Sequence, residues 1–176
     1  MKTKGIIFGA LTSIFSLLII VPMCIGNWIR YVGDDMADTV GDALSMFNDW
    51  SNTVTAYEAF QKDFPVFWTV LIQIAVIVAL VAGVAYLILY VLDLAKVTKP
   101  EKTAALKKFL SIIMLVAGIV VAISGIIFII TNALVVESVT LYGFTATAGF
   151  YLACIFPILA GICGLLGADK AKSKRK

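Results

Sequence analysis

The chain has 176 residues, of which 61% are hydrophobic and 14% charged, with a formal net charge of +3 and no histidine. A soluble domain is about 45–50% apolar and about 25% charged, so this chain lacks the polar material to cover a water-facing surface. Without histidine it also lacks the usual metal ligand and the usual general base at neutral pH.

A helix needs roughly 20 apolar residues to cross roughly 30 Å of hydrocarbon. Four blocks meet that requirement, residues 5–25, 66–94, 109–131 and 146–167, and none carries a charge near its centre. The expected fold class is therefore an all-α membrane protein, a four-transmembrane-helix bundle. The first block follows Lys2 and Lys4, as in a signal peptide. It is longer than the usual h-region and ends in no small-x-small site, so it reads as an uncleaved anchor.

Between the first and second blocks, residues 34–63 carry a helical pattern. Met36, Val40, Ala43, Phe47, Trp50, Val54 and Tyr57 follow one another in steps of 4, 3, 4, 3, 4 and 3, the a/d stripe of a helix. Asp34, Asp35 and Asp38 suit its N-terminus through capping and the macrodipole. Ser51-Asn52-Thr53 marks a break, so the segment reads as one long or two short amphipathic helices. The stripe Met36, Val40, Phe47, Trp50, Val54 and Tyr57 must be buried somewhere, against the ends of the spans or against a copy or a partner. Asp34, Asp35, Asp38 and Asp42 give this segment a negative potential that attracts cations; repeated in an oligomer, such acids ring a pore mouth.

The second block ends at Asp93, three residues before Lys96, which predicts a solvated i,i+3 pair. A loop over residues 95–108 leads to the third block, and the fourth contains Pro157, which predicts a kink. Residues 168–176 form a basic tail in which Lys170, Lys172, Lys174, Arg175 and Lys176 are expected to meet anionic lipid headgroups rather than nucleic acid.

Basic residues set the orientation. The N-terminus, the 95–108 loop and the tail hold 12 of the 14 Lys and Arg, whereas the other connections hold Arg30 and Lys62 among eight acids. Lys and Arg resist translocation, which predicts a cell-membrane protein with both termini cytoplasmic and the 34–63 segment extracellular.

Small residues recur at helical spacing in every span: Gly5 and Gly9; Ala75, Ala79 and Gly83; Gly118, Ala122 and Gly125; Gly161 and Gly164. Lipid tails give helices no hydrophobic drive to associate, so close backbone approach must supply it. These positions are expected to pack the spans on one another, with any face left over available to a partner. Cys24, Cys154 and Cys163 show no CxxC pairing, and no nucleophile elbow, zinc-protease, phosphate-loop or dinucleotide motif is present. The expectation is a protein without enzymatic activity, cofactor or metal.

Asn27-Trp28-Ile29-Arg30 follows the first span and Asp49-Trp50-Ser51-Asn52-Thr53 comes later. With the four-span layout, this pair of loop tryptophans resembles the claudin and peripheral myelin protein group. That group's signature adds two cysteines, where this chain has Thr53 and, near the second place, Lys62. Its loop is a β-sheet, whereas this one reads as helical. The resemblance implies lateral assembly, adhesion or service as an auxiliary subunit, and transfers no catalytic residue. The sequence thus points to a non-enzymatic four-span protein that assembles with itself or with another membrane protein among membrane lipids. An oligomeric cation channel is the alternative, followed by a small transporter.

Overall fold

The computed structural model describes residues 3–24, 28–32, 42–44, 66–133 and 143–172. The described residues form five helices: α1 (Thr3–Leu18), α2 (Ile20–Cys24), α3 (Val66–Leu94), α4 (Pro100–Ala133) and α5 (Ala148–Lys172). The described residues also include three short strands: β1 (Ile29–Val32), β2 (Asp42–Leu44) and β3 (Gly143–Ala146).

The first span is α1 with α2. Proline has no N–H and its ring crowds the carbonyl four residues back. Pro22 therefore disturbs the turn at Leu18, where α1 ends, and Ile19 separates the two helices. Pro157 acts more mildly, because α5 runs through it as one helix. Among the described residues, four helical stretches are long and apolar enough to cross a membrane: Lys4–Cys24, Val70–Leu94, Pro100–Ile130 and Ala148–Ala168. Ile112, Val116, Ile119, Ile123, Ile126 and Ile130 on α4, and Ile74, Ile77, Val81 and Ile88 on α3, leave large aliphatic side chains exposed. On a soluble monomer such continuous apolar faces are rare; against acyl chains they are the ordinary surface of a multi-pass membrane protein.

Neighbouring helices run antiparallel. Gly9 and Ser16 of α1 meet Tyr90 and Gly83 of α3, Gly118 and Gly125 of α4 meet Ile158 and Phe150 of α5, and Gly164 and Gly167 of α5 meet Thr12 and Phe8 of α1. The helices thus form a ring in the order α1, α3, α4, α5. The start of α1, the end of α5 and the α3–α4 turn share one end, here the turn end, and the strands occupy the other, the sheet end.

The core divides accordingly. Toward the sheet end it is apolar, with Ile19, Trp28, Ile72, Val76, Val121, Phe128, Phe150 and Ala153 buried together. Toward the turn end it holds Tyr86, Tyr90, Met114 and Ala160, with the hydroxyls of Thr12, Ser13, Ser16 and Ser111 buried nearby.

The strands correct the all-α expectation. They form one antiparallel sheet in the order β2-β1-β3. Ile29 pairs with Ala146 and Val32 with Gly143, so the segment after the first span is joined to the segment before the last. Ile29 also pairs with Leu44 and Arg30 with Asp42, with a bulge between them at Ala43. Residues 42–44, expected within a helix, are therefore strand. A backbone hydrogen-bonded to a neighbouring strand satisfies its polar groups without a helix. The rest of the 34–63 helical expectation lies outside the described residues.

The 95–108 loop is also corrected. Helix α4 begins at Pro100 and leaves Ala95–Lys99 as the connection. Proline suits the first helical position, where its missing N–H would have no partner.

Candidate functional site

At the turn end the chain reverses within five residues. Lys96 takes a left-handed conformation, φ 57°. The Val97 N–H donates to the Leu92 carbonyl at 3.0 Å and the Lys96 N–H to the Asp93 carbonyl at 3.3 Å. This pair of bonds is the Schellman ending of a helix, in which glycine is the usual left-handed residue. The reversal brings α4 back along α3 and sets Thr103 and Lys107, one helical turn apart, against Asp93.

The Asp93 carboxylate is fully buried. One of its oxygens accepts from the Thr103 hydroxyl at 2.7 Å and from Lys107 Nζ at 2.5 Å. Its other oxygen accepts from the Thr98 hydroxyl. The Lys107 side chain is itself only 12% exposed. Taking a carboxylate and an ammonium out of water costs several kcal/mol per ion, which the pair offsets only with good geometry and further hydrogen bonds. Here two hydroxyls supply those bonds. The expected Asp93–Lys96 pair is replaced by this one. Lys96 sits where the chain leaves the helix, so the i,i+3 geometry is lost, and the partner comes 14 residues on.

A run of hydroxyls continues from this cluster. Ser111 donates to the Lys107 carbonyl at 2.7 Å. On α1, Thr12 donates to Phe8, Ser13 to Gly9 and Ser16 to Thr12, at 2.8, 2.9 and 2.7 Å. Each hydroxyl returns to its own helix four residues back, so its polarity is satisfied where no water is at hand. Ser16 Oγ also lies 3.4 Å from Met114 Sδ, and the Tyr90 hydroxyl donates to the Ile6 carbonyl at 2.9 Å. Two helix-to-helix contacts thus tie α1 to α4 and to α3.

The packing glycines fill out the site. A Cβ on Gly9 would lie 2.3 Å from the Tyr90 ring, one on Gly83 2.7 Å from Ser16, and one on Gly125 2.1 Å from the Phe150 ring. Gly118 and Gly161 approach backbone: their Cβ positions lie 3.0 Å from the Ile158 nitrogen and 2.7 Å from the Leu115 nitrogen. Gly164 faces the Ser111 hydroxyl at 2.1 Å. Ala75 and Ala79 are buried, and Ala122 packs on the same core. Gly5 differs, having open space beside it.

At the sheet end the fully buried Trp28 donates its indole N–H to the Pro22 carbonyl at 2.7 Å. Pro22 lies in the last turn of α2, where carbonyls lack helical partners, so the indole caps the helix. The Trp28 carbonyl accepts from the Thr147 N–H at 3.0 Å, just ahead of α5. Trp28 therefore ties the end of the first span to the start of the last.

The structure leaves several sequence candidates apart. Met36, Val40, Phe47, Trp50, Val54, Tyr57, Asp34, Asp35 and Asp38 lie outside the described residues, as do Lys174, Arg175 and Lys176. Asp42 is in β2, opposite Arg30 in the register. Lys170 and Lys172 belong to the end of α5, which reaches into the expected tail. Cys24, Cys154 and Cys163 are free thiols.

Sequence reasoning missed the Asp93–Lys107 pair and the anchoring role of Trp28. A signal for the first was present: Thr103, Lys107 and Ser111 stand four residues apart on α4, a polar stripe that leads into the apolar span and so marks an inward face. No protein-family model, curated protein or solved structure matches the chain.

Proposed function

We propose that this four-span protein is a non-enzymatic structural or accessory subunit, which assembles laterally with copies of itself or with another membrane protein. One observation carries the reading: the charged pair within the bundle is spent on holding the bundle together. Asp93 already accepts from three donors, and the hydroxyls of Thr12, Ser13, Ser16 and Ser111 return to their own helices. Catalysis or ion coupling needs a polar group that is poised to change partners. The fully buried Trp28 and Phe128 fill the sheet end of the bundle, which suits a wall rather than a conduit through a single chain.

In this proposal the turn end is cytoplasmic, in the cell membrane, and the sheet faces outward. The resemblance to the claudin and peripheral myelin protein group belongs to the same proposal. Light scattering on the detergent-solubilised chain tests the assembly: the expected particle contains several copies of the 19.0 kDa chain. A monomer at every protein concentration, with no membrane protein bound to it, would overturn the reading. A cation current from the purified chain in planar bilayers would replace it with the channel.

A further inference from the structure

We infer that the α3–α4 turn is a clasp for the phosphate headgroup of an anionic phospholipid in the leaflet that it faces. Helix α4 has 34 residues, about 50 Å of helix against roughly 30 Å of hydrocarbon, so part of it stands outside the apolar layer. The exposed face of α4 passes from Lys102 to Leu106 and Phe109, then to Ile112 and Val116. The boundary between charge and hydrocarbon therefore falls within one turn, and Lys102 stands at headgroup level. Leu94 marks the same boundary at the end of α3, where its side chain is exposed.

The turn between these boundaries carries Lys96 and Lys99, both exposed. The acid nearest to Lys96 in sequence does not neutralise it. Asp93 is withdrawn from the surface and held by Lys107, Thr98 and Thr103. Lys96, Lys99 and Lys102 thus face outward against Glu101 alone among the described residues of the turn and the first turn of α4.

Lys96 adds a separate observation. It occupies a left-handed position where a side chain is strained and glycine is not. Strain of this kind marks places where a side chain is wanted for what it does. The Asp93 bonds and the Schellman ending fix the turn, so the lysines are presented by a preorganised backbone and a ligand need not order it. Long lysine stems lie along apolar surface while their ammonium groups reach the phosphates. Leu106 and Phe109 beside them contact acyl chain, which distinguishes a lipid from a free anion.

Native mass spectrometry of the full chain tests this, by titration with dioleoyl phosphatidylserine, dioleoyl phosphatidylcholine and inorganic phosphate. Each lysine near an anionic surface is worth about fivefold in binding, so Lys99→Gln with Lys102→Gln is expected to lower phosphatidylserine affinity about 25-fold, toward the phosphatidylcholine level. Lys96→Gly is expected to weaken phosphatidylserine binding about fivefold while raising the melting temperature. Equal affinity for the two lipids would overturn the proposal. So would unchanged binding by the Lys99→Gln, Lys102→Gln protein, or displacement of the lipid by inorganic phosphate.

Discussion

Replacing Lys107 by methionine removes the one charged partner that a fully buried carboxylate has among the described residues. The hydroxyls of Thr98 and Thr103 remain, but neither carries charge. Removing one partner of a buried pair costs about 3–5 kcal/mol, because the other ion stays uncompensated. The reverse change, Asp93→Asn, should cost less. The Lys107 side chain is 12% exposed, and its four-carbon stem can carry the ammonium to water, whereas the short Asp93 side chain has no such route; about 2 kcal/mol is expected. The double variant Asp93→Leu, Lys107→Met should fall within about 1 kcal/mol of the parent, since an apolar pair of similar volume often replaces a buried ion pair without loss. Unfolding in mixed micelles, followed by circular dichroism and tryptophan fluorescence, gives all three values. The coupling should persist at about 0.5 M salt, because buried pairs are screened little. Two single changes that each cost below about 1 kcal/mol and add independently would refute the reasoning, since that is the behaviour of an exposed pair.

Further outcomes follow from the helix contacts. Gly161→Ala puts a methyl 2.7 Å from a backbone nitrogen of α4, so the helices must separate, and thermal unfolding should show a loss of about 1–3 kcal/mol. Gly5→Ala meets open space and should be neutral or raise stability by up to about 1 kcal/mol through helix propensity, measured the same way. Trp28→Phe removes the bond to the Pro22 carbonyl and should cost about 1–3 kcal/mol, with loss of the acrylamide-protected part of the fluorescence. Thr103→Val should destabilise more than Thr98→Val in chemical unfolding, because Thr103 is buried and Thr98 only half-buried.

The spans were legible because an apolar run of about 20 residues has few other uses. The expectation of 66–94 coincides with α3 as observed. The sheet was not. Ile29-Arg30-Tyr31-Val32 has strand composition, but four residues form a weak pattern, and their partner strand lies more than a hundred positions away. Asp42-Ala43-Leu44 fits a heptad as readily as a strand, and only pairing with β1 decides between them. The Asp93 cluster was hidden for a related reason. Sequence distance favoured Lys96, while the left-handed turn carried Lys96 away and returned Lys107. The start of α4 was missed because Lys102, Lys107 and Lys108 look like loop, although Pro100 with Glu101 in the first turn is a helix-start pattern. Sequence showed which helices are long and apolar enough to cross a membrane, but not which polar groups meet across helices.

The β1–β3 pairing also constrains the order of assembly. β1 emerges with the first span, while its partner Gly143–Ala146 is made only after α4. Pairing so distant in the chain forms late, and spans insert before they pack. Among the described strands, β1 therefore has β2 alone beside it until β3 is made. A chain shortened before β3 would keep its first three spans but leave that edge open, and open edges invite pairing with other chains. The short sheet thus closes only after the third long helix has been made, because β3 follows it directly in the chain.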